Sequence, residues 1–239
     1  DDVEGFFPIF AAAKFARKNF LQKIPLTFPR FVLYLSQRLA IKQAVKLGEK
    51  IIMENTINIE VIRALLPLAA KKDTRSYLNG VFVDFQPTKT IYAATNGAVL
   101  GLYTEAVENE YVFSVTIPGD VVKQLKPKPG TAKWGDLIFD PEAKTARITN
   151  PGAGQDFGFT PLDGKFPDVS KVIPSSTTGE VAQFDAELLY LFAQVNKSFG
   201  AKSPGRFKLD HSGNAGALVH LFRDEFIGVI MPVRINALP

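Results

Sequence analysis

The sequence predicts an α+β fold in which one βαβββ unit recurs three times after residue 55. Three observations predict it. Strand-like alternation returns at similar intervals, each return opens on a single strand followed by a helical stretch, and three short strands separated by Gly, Pro or Asn turns then follow. Units of about 50–65 residues that cannot bury both sheet faces alone should pack side by side into a continuous layered structure.

Residues 1–55 read differently. They are rich in Ala, Leu, Phe and Lys and poor in strand signals, and form a helical N-terminal segment. One helix covers about Pro8 to Asn19, Pro25 and Pro29 break the chain, and a second runs from Phe31 to about Lys46, with Gly48 as its stop. Arg38, Lys42 and Lys46 recur every four residues and share a face. That stripe suits a solvated helix surface as well as a phosphate-tracking one.

The first unit enters at Thr56-Ile57, and Asn58 can cap the helix-like stretch from Ile59 to about Lys72. Ile62, Leu65, Leu66 and Ala69 give that stretch an apolar face, and Pro67 predicts a kink or early end. Strands follow at Tyr77–Phe85, Thr90–Ala94 and Ala98–Tyr103, separated by turns at Gln86–Lys89 and Asn96–Gly97. The second unit has a strand at Tyr111–Ile117, a short helix at Gly119–Lys126 ended by Pro127, Pro129 and Gly130, and strands near Lys133–Phe139, Thr145–Asn150 and Gln155–Pro161. The third has a strand at Glu180–Phe184 and a helix from Asp185 to about Ser198, with Leu188, Leu189, Phe192 and Val195 at helical spacing and Gly200 closing it. Its strands are expected at Arg206–Asp210, Gly216–Phe222 and Glu225–Pro232. Residues 56–174 thus hold two of these units and 175–239 the third. Between them Pro161–Pro174 reads as a strand end, an Asp163-Gly164 turn and a stiff exit held by Pro167 and Pro174. Phe166, Val169, Val172 and Ile173 give this linker something to bury.

Composition narrows the chemistry. The chain of 239 residues has no Cys, which excludes disulfides, thiolate zinc sites and Cys nucleophiles and suits a reducing cytoplasm. No apolar run approaches the roughly 18 residues of a membrane span. The chain opens on Asp1, Asp2 and Glu4 rather than a secretory pattern, so a cytoplasmic location is expected. Residues 1–55 carry nine Lys/Arg against five acids, which accounts for the whole net charge of +4. The body is therefore neutral, and any nucleic-acid contact depends on bases clustering on one face.

Enzyme chemistry finds little support. His211, in Asp210-His211-Ser212-Gly213, reads as a hairpin turn, and His220, between Val219 and Leu221, as a strand residue. Gly152-Ala153-Gly154-Gln155-Asp156-Phe157-Gly158 lacks dinucleotide spacing, because Phe157 occupies the place of the third glycine. Asp156-Phe157-Gly158 echoes a kinase motif without its companions. No carboxylate pair is placed for acid–base work, so we expect no enzyme, no cofactor and no metal. A pocket joining His211 or His220 to carboxylates would reopen that question.

Four stretches resemble the bacterial sliding clamp, the beta subunit of DNA polymerase III. Arg75-Ser76-Tyr77-Leu78-Asn79-Gly80 is similar to that family's Arg-Tyr-Tyr-Leu-Asn-Gly, and Ala94-Thr95-Asn96-Gly97-Ala98-Val99-Leu100 to its Ala-Thr-Asp-Gly-His-Arg-Leu. Leu162-Asp163-Gly164-Lys165-Phe166-Pro167-Asp168, continued by Lys171-Val172-Ile173-Pro174, is similar to its Val-Asp-Gly-Arg-Phe-Pro-Asp. Val229-Ile230-Met231-Pro232-Val233-Arg234-Ile235 is similar to its C-terminal Val-Val-Met-Pro-Met-Arg-Leu. The stretches fall in family order between about Thr56 and Ile235. Clamps have three domains of two units each. Here the resemblance covers the middle domain and the second half of the last, and the turn's His-Arg is Ala98-Val99.

The resemblance implies the DNA-clamp fold, with antiparallel sheets outside and helices on one face, and a non-catalytic processivity factor that holds duplex DNA without reading its sequence. Arg63, Lys71, Lys72, Lys123, Lys126, Lys197 and Lys202 would face the phosphates from the helices. It further implies a cleft for linear peptides of DNA polymerases or repair proteins, formed by Leu78, Thr95, Gly97, Leu100, Pro167, Val172, Val229, Met231, Pro232 and Val233, with Arg234 at its edge. A homo-oligomer is the expected assembly. The alternative is a clamp-fold interaction module that docks peptides but does not encircle DNA.

Overall fold

The computed structural model describes residues 51–126, 133–150 and 153–233. The helices expected in residues 1–46, the helix stops at 127–130 and Arg234 lie outside them. Lys50–Pro239 forms one unit of the chain.

The first βαβββ unit comprises β1 (Met53–Asn58), α1 (Ile59–Leu65), β2 (Gly80–Gln86), β3 (Lys89–Thr95) and β4 (Val99–Glu105). Asn58 caps α1, its side chain accepting from the Val61 N–H at 3.3 Å. Pro67 falls in a single 3-10 turn at Leu66–Leu68, and Ala69 is already extended. The helix expected to reach Lys72 is thus cut short. Lys71 and Lys72 lie beyond it, Lys72 with a φ of 61°. The second unit comprises β5 (Phe113–Pro118), α2 (Gly119–Gln124), β6 (Trp134–Asp140), β7 (Thr145–Asn150) and β8 (Gln155–Phe159). Lys126 follows α2 rather than riding on it.

The two units exchange their first strands. β1 leaves its own unit to lie antiparallel on β6, and β5 crosses to β2. The result is a four-stranded sheet, β1-β6-β7-β8, and a larger sheet beginning β5-β2-β3-β4. Neither unit completes a sheet alone, which is why they fold as one domain.

The third unit supplies α3 (Ala186–Ser198), β9 (Lys208–Asp210), β10 (Ala217–His220) and β11 (Phe226–Ile230). Asp185 caps α3 by accepting from the Glu187 N–H at 2.8 Å. β11 pairs antiparallel with β4, Ile230 opposite Val99 through Phe226 opposite Tyr103, so one sheet of seven strands runs β5-β2-β3-β4-β11-β10-β9 from the first two units into the third. The strand expected at Glu180–Phe184 does not form. Isolated backbone bonds hold that segment instead, from the Gly179 N–H to the His211 carbonyl at 2.9 Å and from the Val233 N–H to the Gln183 carbonyl at 2.8 Å. The third unit is therefore αβββ.

The sheet has a different core on each face. On the inner face Val83, Tyr92, Tyr103 and Phe226 lie opposite one another across four strands. Phe192 and Phe199 extend that row, both in ring contact with Phe226. α1 packs against both α2 and α3 here. Burying side chains such as Phe192, Phe85 and Leu65 contributes about 1.5–3 kcal/mol each. On the outer face the row is Phe82, Ala93, Leu102 and Ile227. A second, smaller core forms there around Ala93, Leu102 and Phe166.

Candidate functional site: a cleft on the outer sheet face

The linker lies against the outer face of the sheet. Gly164 turns with a φ of 120°, over the Tyr77 ring. A Cβ at that position would approach Tyr77 Cδ1 to 2.5 Å, so only glycine fits. Ser76 Oγ donates to the Asp163 carbonyl at 2.7 Å, tying the loop before β2 to the linker. Phe166 then stacks flat on Phe82, centroids 4.5 Å apart, and is buried on the outer face. Asp168 caps a 3-10 turn at Val169–Lys171, which leaves Val172 exposed.

The floor lies one row further along the strands. Thr95, Leu100 and Val229 face one another across β3, β4 and β11, and all three are buried. Thr95 Oγ1 donates to the Val99 carbonyl at 2.6 Å and accepts from the Gly97 N–H at 3.1 Å. Asn96 Oδ1 accepts from both the Ala98 and Val99 N–H groups, fixing the turn, with Gly97 at a φ of 94°. The Met231 N–H donates to the Ala98 carbonyl at 2.9 Å, which carries the junction one step past the ladder and leaves the Met231 side chain exposed.

The structure thus brings Thr95, Gly97, Leu100, Val229 and Met231 together at the β4–β11 seam, with Pro232 and Val233 next in the chain. Pro167 and Val172 are exposed on the linker. Leu78 is buried in the 3-10 turn Ser76–Leu78, and its carbonyl accepts from the Ala70 N–H at 2.9 Å. Apolar floor, exposed apolar rim and backbone groups at a sheet seam are features that receive an extended peptide. Sequence reading missed the Phe82–Phe166 stack; its signal was the phase of β2, where Phe82 alternates with Val81 and Val83.

The candidate phosphate-facing residues are all exposed. Arg63 lies on α1, Lys123 on α2 and Lys197 on α3, while Lys71, Lys72, Lys126 and Lys202 occupy the segments that follow. None of the seven forms an ion pair among the described residues. Nearby bases are neutralised: Lys133 pairs with Glu60 at 2.8 Å and Arg75 with Asp73 at 2.9 Å.

His220 does meet a carboxylate. Its Nε2 lies 2.8 Å from Asp210 Oδ2, while Lys208 Nζ holds Asp210 Oδ1 at 2.9 Å. The Lys208 hydrogen bond, then that of His220, keeps the Asp210 carboxyl below its usual range. A carboxylate held by a lysine on its own strand and a histidine on the next is a polar network on a sheet surface. His211 follows β9, and its Nδ1 accepts from the Ala182 N–H at 3.4 Å. No group of three or more His, Asp or Glu able to hold a metal occurs among the described residues, and no helix there is long and apolar enough to cross a membrane.

Tandem βαβββ units with helices on one side of continuous antiparallel sheets define the DNA-clamp fold. The solved structures that this chain resembles are DNA polymerase III beta sliding clamps. They include one from Pseudomonas aeruginosa with a ligand (17% identity, TM-score 0.59), one from Thermotoga maritima (13%, 0.59) and one from Caulobacter crescentus (17%, 0.59). In each case the match covers 77% of this chain and 66% of the clamp, just under two thirds of the clamp's length. No protein-family model matches the chain, and no curated protein sequence matches it. The fold is that of the bacterial sliding clamp.

Proposed function

We propose that this chain is a sliding-clamp-like processivity factor of DNA replication, non-enzymatic and cytoplasmic, that acts in an oligomer. It binds duplex DNA without sequence preference and docks peptides of polymerases or repair proteins in the outer-face cleft. The observation that carries this reading is the β4–β11 seam. It joins the complete domain to the third unit in one sheet, with a buried apolar floor on one face and helices bearing Arg63, Lys123 and Lys197 on the other. Phosphate contacts of that kind tolerate sliding because no base edge is bonded. Asp210 is already held by Lys208 on its other oxygen, which suits a structural contact with His220 rather than an acid–base couple.

The test uses the full chain on nicked circular duplex at low salt, before and after linearisation. Retention on circles that is lost on linear DNA supports a topological clamp; no retention on either form overturns the DNA reading. A fluorescent extended peptide carrying apolar anchors tests the cleft separately. Binding should weaken about tenfold with Met231→Ala, an exposed rim residue. Unchanged affinity would place the peptide elsewhere.

A further inference from the structure

In the complete domain, the strand that follows each helix has its outer edge covered by the other unit's first strand. β1 covers β6 over six residue pairs, and β5 covers β2 over six. β9 is the corresponding strand of the third unit, and it pairs with β10 alone. No backbone hydrogen bond outside that ladder reaches Lys208, Leu209 or Asp210 among the described residues. An unpaired edge of this kind is a template for another strand.

The side chains on β9 specify which strand. The order Lys208-Leu209-Asp210 is self-complementary in an antiparallel pairing centred on Leu209: each Lys208, paired at 2.9 Å with Asp210 of its own strand in the single chain, comes to lie opposite the other strand's Asp210 and can exchange the one partner for the other. The flanks match too. At the Lys208 end an exposed Phe222 borders a depression of about 560 Å³ that Phe207 and Leu221 also line. At the Asp210 end an exposed Val181 precedes Ala182, whose N–H is bonded to His211. A two-fold through Leu209 sets the Val181 end of one copy against the Phe222 end of the other. We propose that β9 is the contact through which two copies of this chain associate, edge to edge and antiparallel, extending the seven-stranded sheet across a two-fold axis. The inference stands on the third unit's geometry and does not depend on DNA binding.

The experiment is a charge-swap series on the full chain, read as mass in solution over a micromolar concentration range, with circular dichroism confirming the fold of each variant. The wild type should dimerise. Lys208→Asp and Asp210→Lys each set like charges opposite one another and should weaken self-association about tenfold or more. Mixing the two single variants should restore a dimer, because one then offers two acids and the other two bases. The double variant K208D/D210K should self-associate like the wild type. Lys208 lies directly across from His220, so the carboxylate introduced there keeps a His–carboxylate pair. A monomeric wild type, single variants that dimerise undiminished, or a mixture that stays monomeric would each overturn the proposal.

Discussion

Two residues show how single side chains hold the elements in register. Tyr92 is fully buried on β3, and its hydroxyl accepts from the Asn58 N–H at 3.0 Å while donating to Glu105 at 3.2 Å. Burial, reinforced by the Glu105 charge, pushes the phenol well above its ordinary range, so it remains a neutral donor. Tyr92→Phe strands the Asn58 N–H at the start of α1 and should cost about 1–3 kcal/mol in denaturant unfolding. A loss below about 0.3 kcal/mol would mean that the hydroxyl does not anchor that helix end. Asp73 works at the surface. It accepts from the Arg75 N–H, Nε and Nη2, and those bonds, the side-chain ones first, lower its carboxyl from 3.8 to about 2. A depressed folded pKa stabilises the fold above the unfolded value, and that contribution is lost as pH falls from about 4 through about 2. The Arg75 Nε–H resonance should therefore titrate with a midpoint near 2, and Asp73→Asn should abolish the step. A midpoint near 4 would show an unpaired carboxylate.

At the level of elements, what was legible was what local chemistry decides. Asn58 and Asp185 announced two helix starts, Pro67 the early end of α1, and Asn96-Gly97 and Asp163-Gly164 the turns. Thr145–Asn150 reads the same in sequence and structure. What could not be read depended on partners distant in sequence. The exchange of β1 and β5 between units is a matter of register, which alternation alone does not fix. Glu180–Phe184 carries the strand pattern but no strand, because a strand needs a ladder. β5 has β2 to pair with, whereas this segment finds isolated bonds to His211, Gly213 and Val233. The turn and strand motifs that meet at the β4–β11 seam were visible as motifs; the Phe82–Phe166 stack beside them was not, because the two residues are 84 positions apart and meet only once the linker folds back. That stack is testable. Phe166→Ala removes the stack and most of the small outer core, and should cost about 3 kcal/mol. It should also open the linker to proteolysis near Lys165 and Lys171 while the inner core persists. Equal protease resistance in the two proteins would show that the linker is held by something other than Phe166.

On the scale of the whole molecule, net charge is a poor guide to what the surface offers. Residues 56–239 balance 19 bases against 19 acids. The balance is not spread evenly, because several acids are spent in pairs: Glu60 with Lys133, Asp73 with Arg75, Asp156 with Arg147 and Asp210 with Lys208. The helix-borne Arg63, Lys123 and Lys197 have no such partner among the described residues, so their field is open to a polyanion even though the body sums to zero. If these three touch phosphates, each contact releases condensed counterions, and the slope of log K against log salt on duplex DNA should fall by about 0.9 per contact removed. Replacing Arg63, Lys123 and Lys197 together by Gln should therefore flatten the slope by about 2.7, with the change independent of DNA sequence. Lys165→Gln removes one charge from the linker on the opposite sheet face and should leave the slope alone. Flattening by Lys165→Gln of about a third of that in the triple variant, one charge against three, would reduce the effect to net charge and remove the helix face from the DNA-binding account, whereas flattening confined to the triple variant would locate the duplex against the helices.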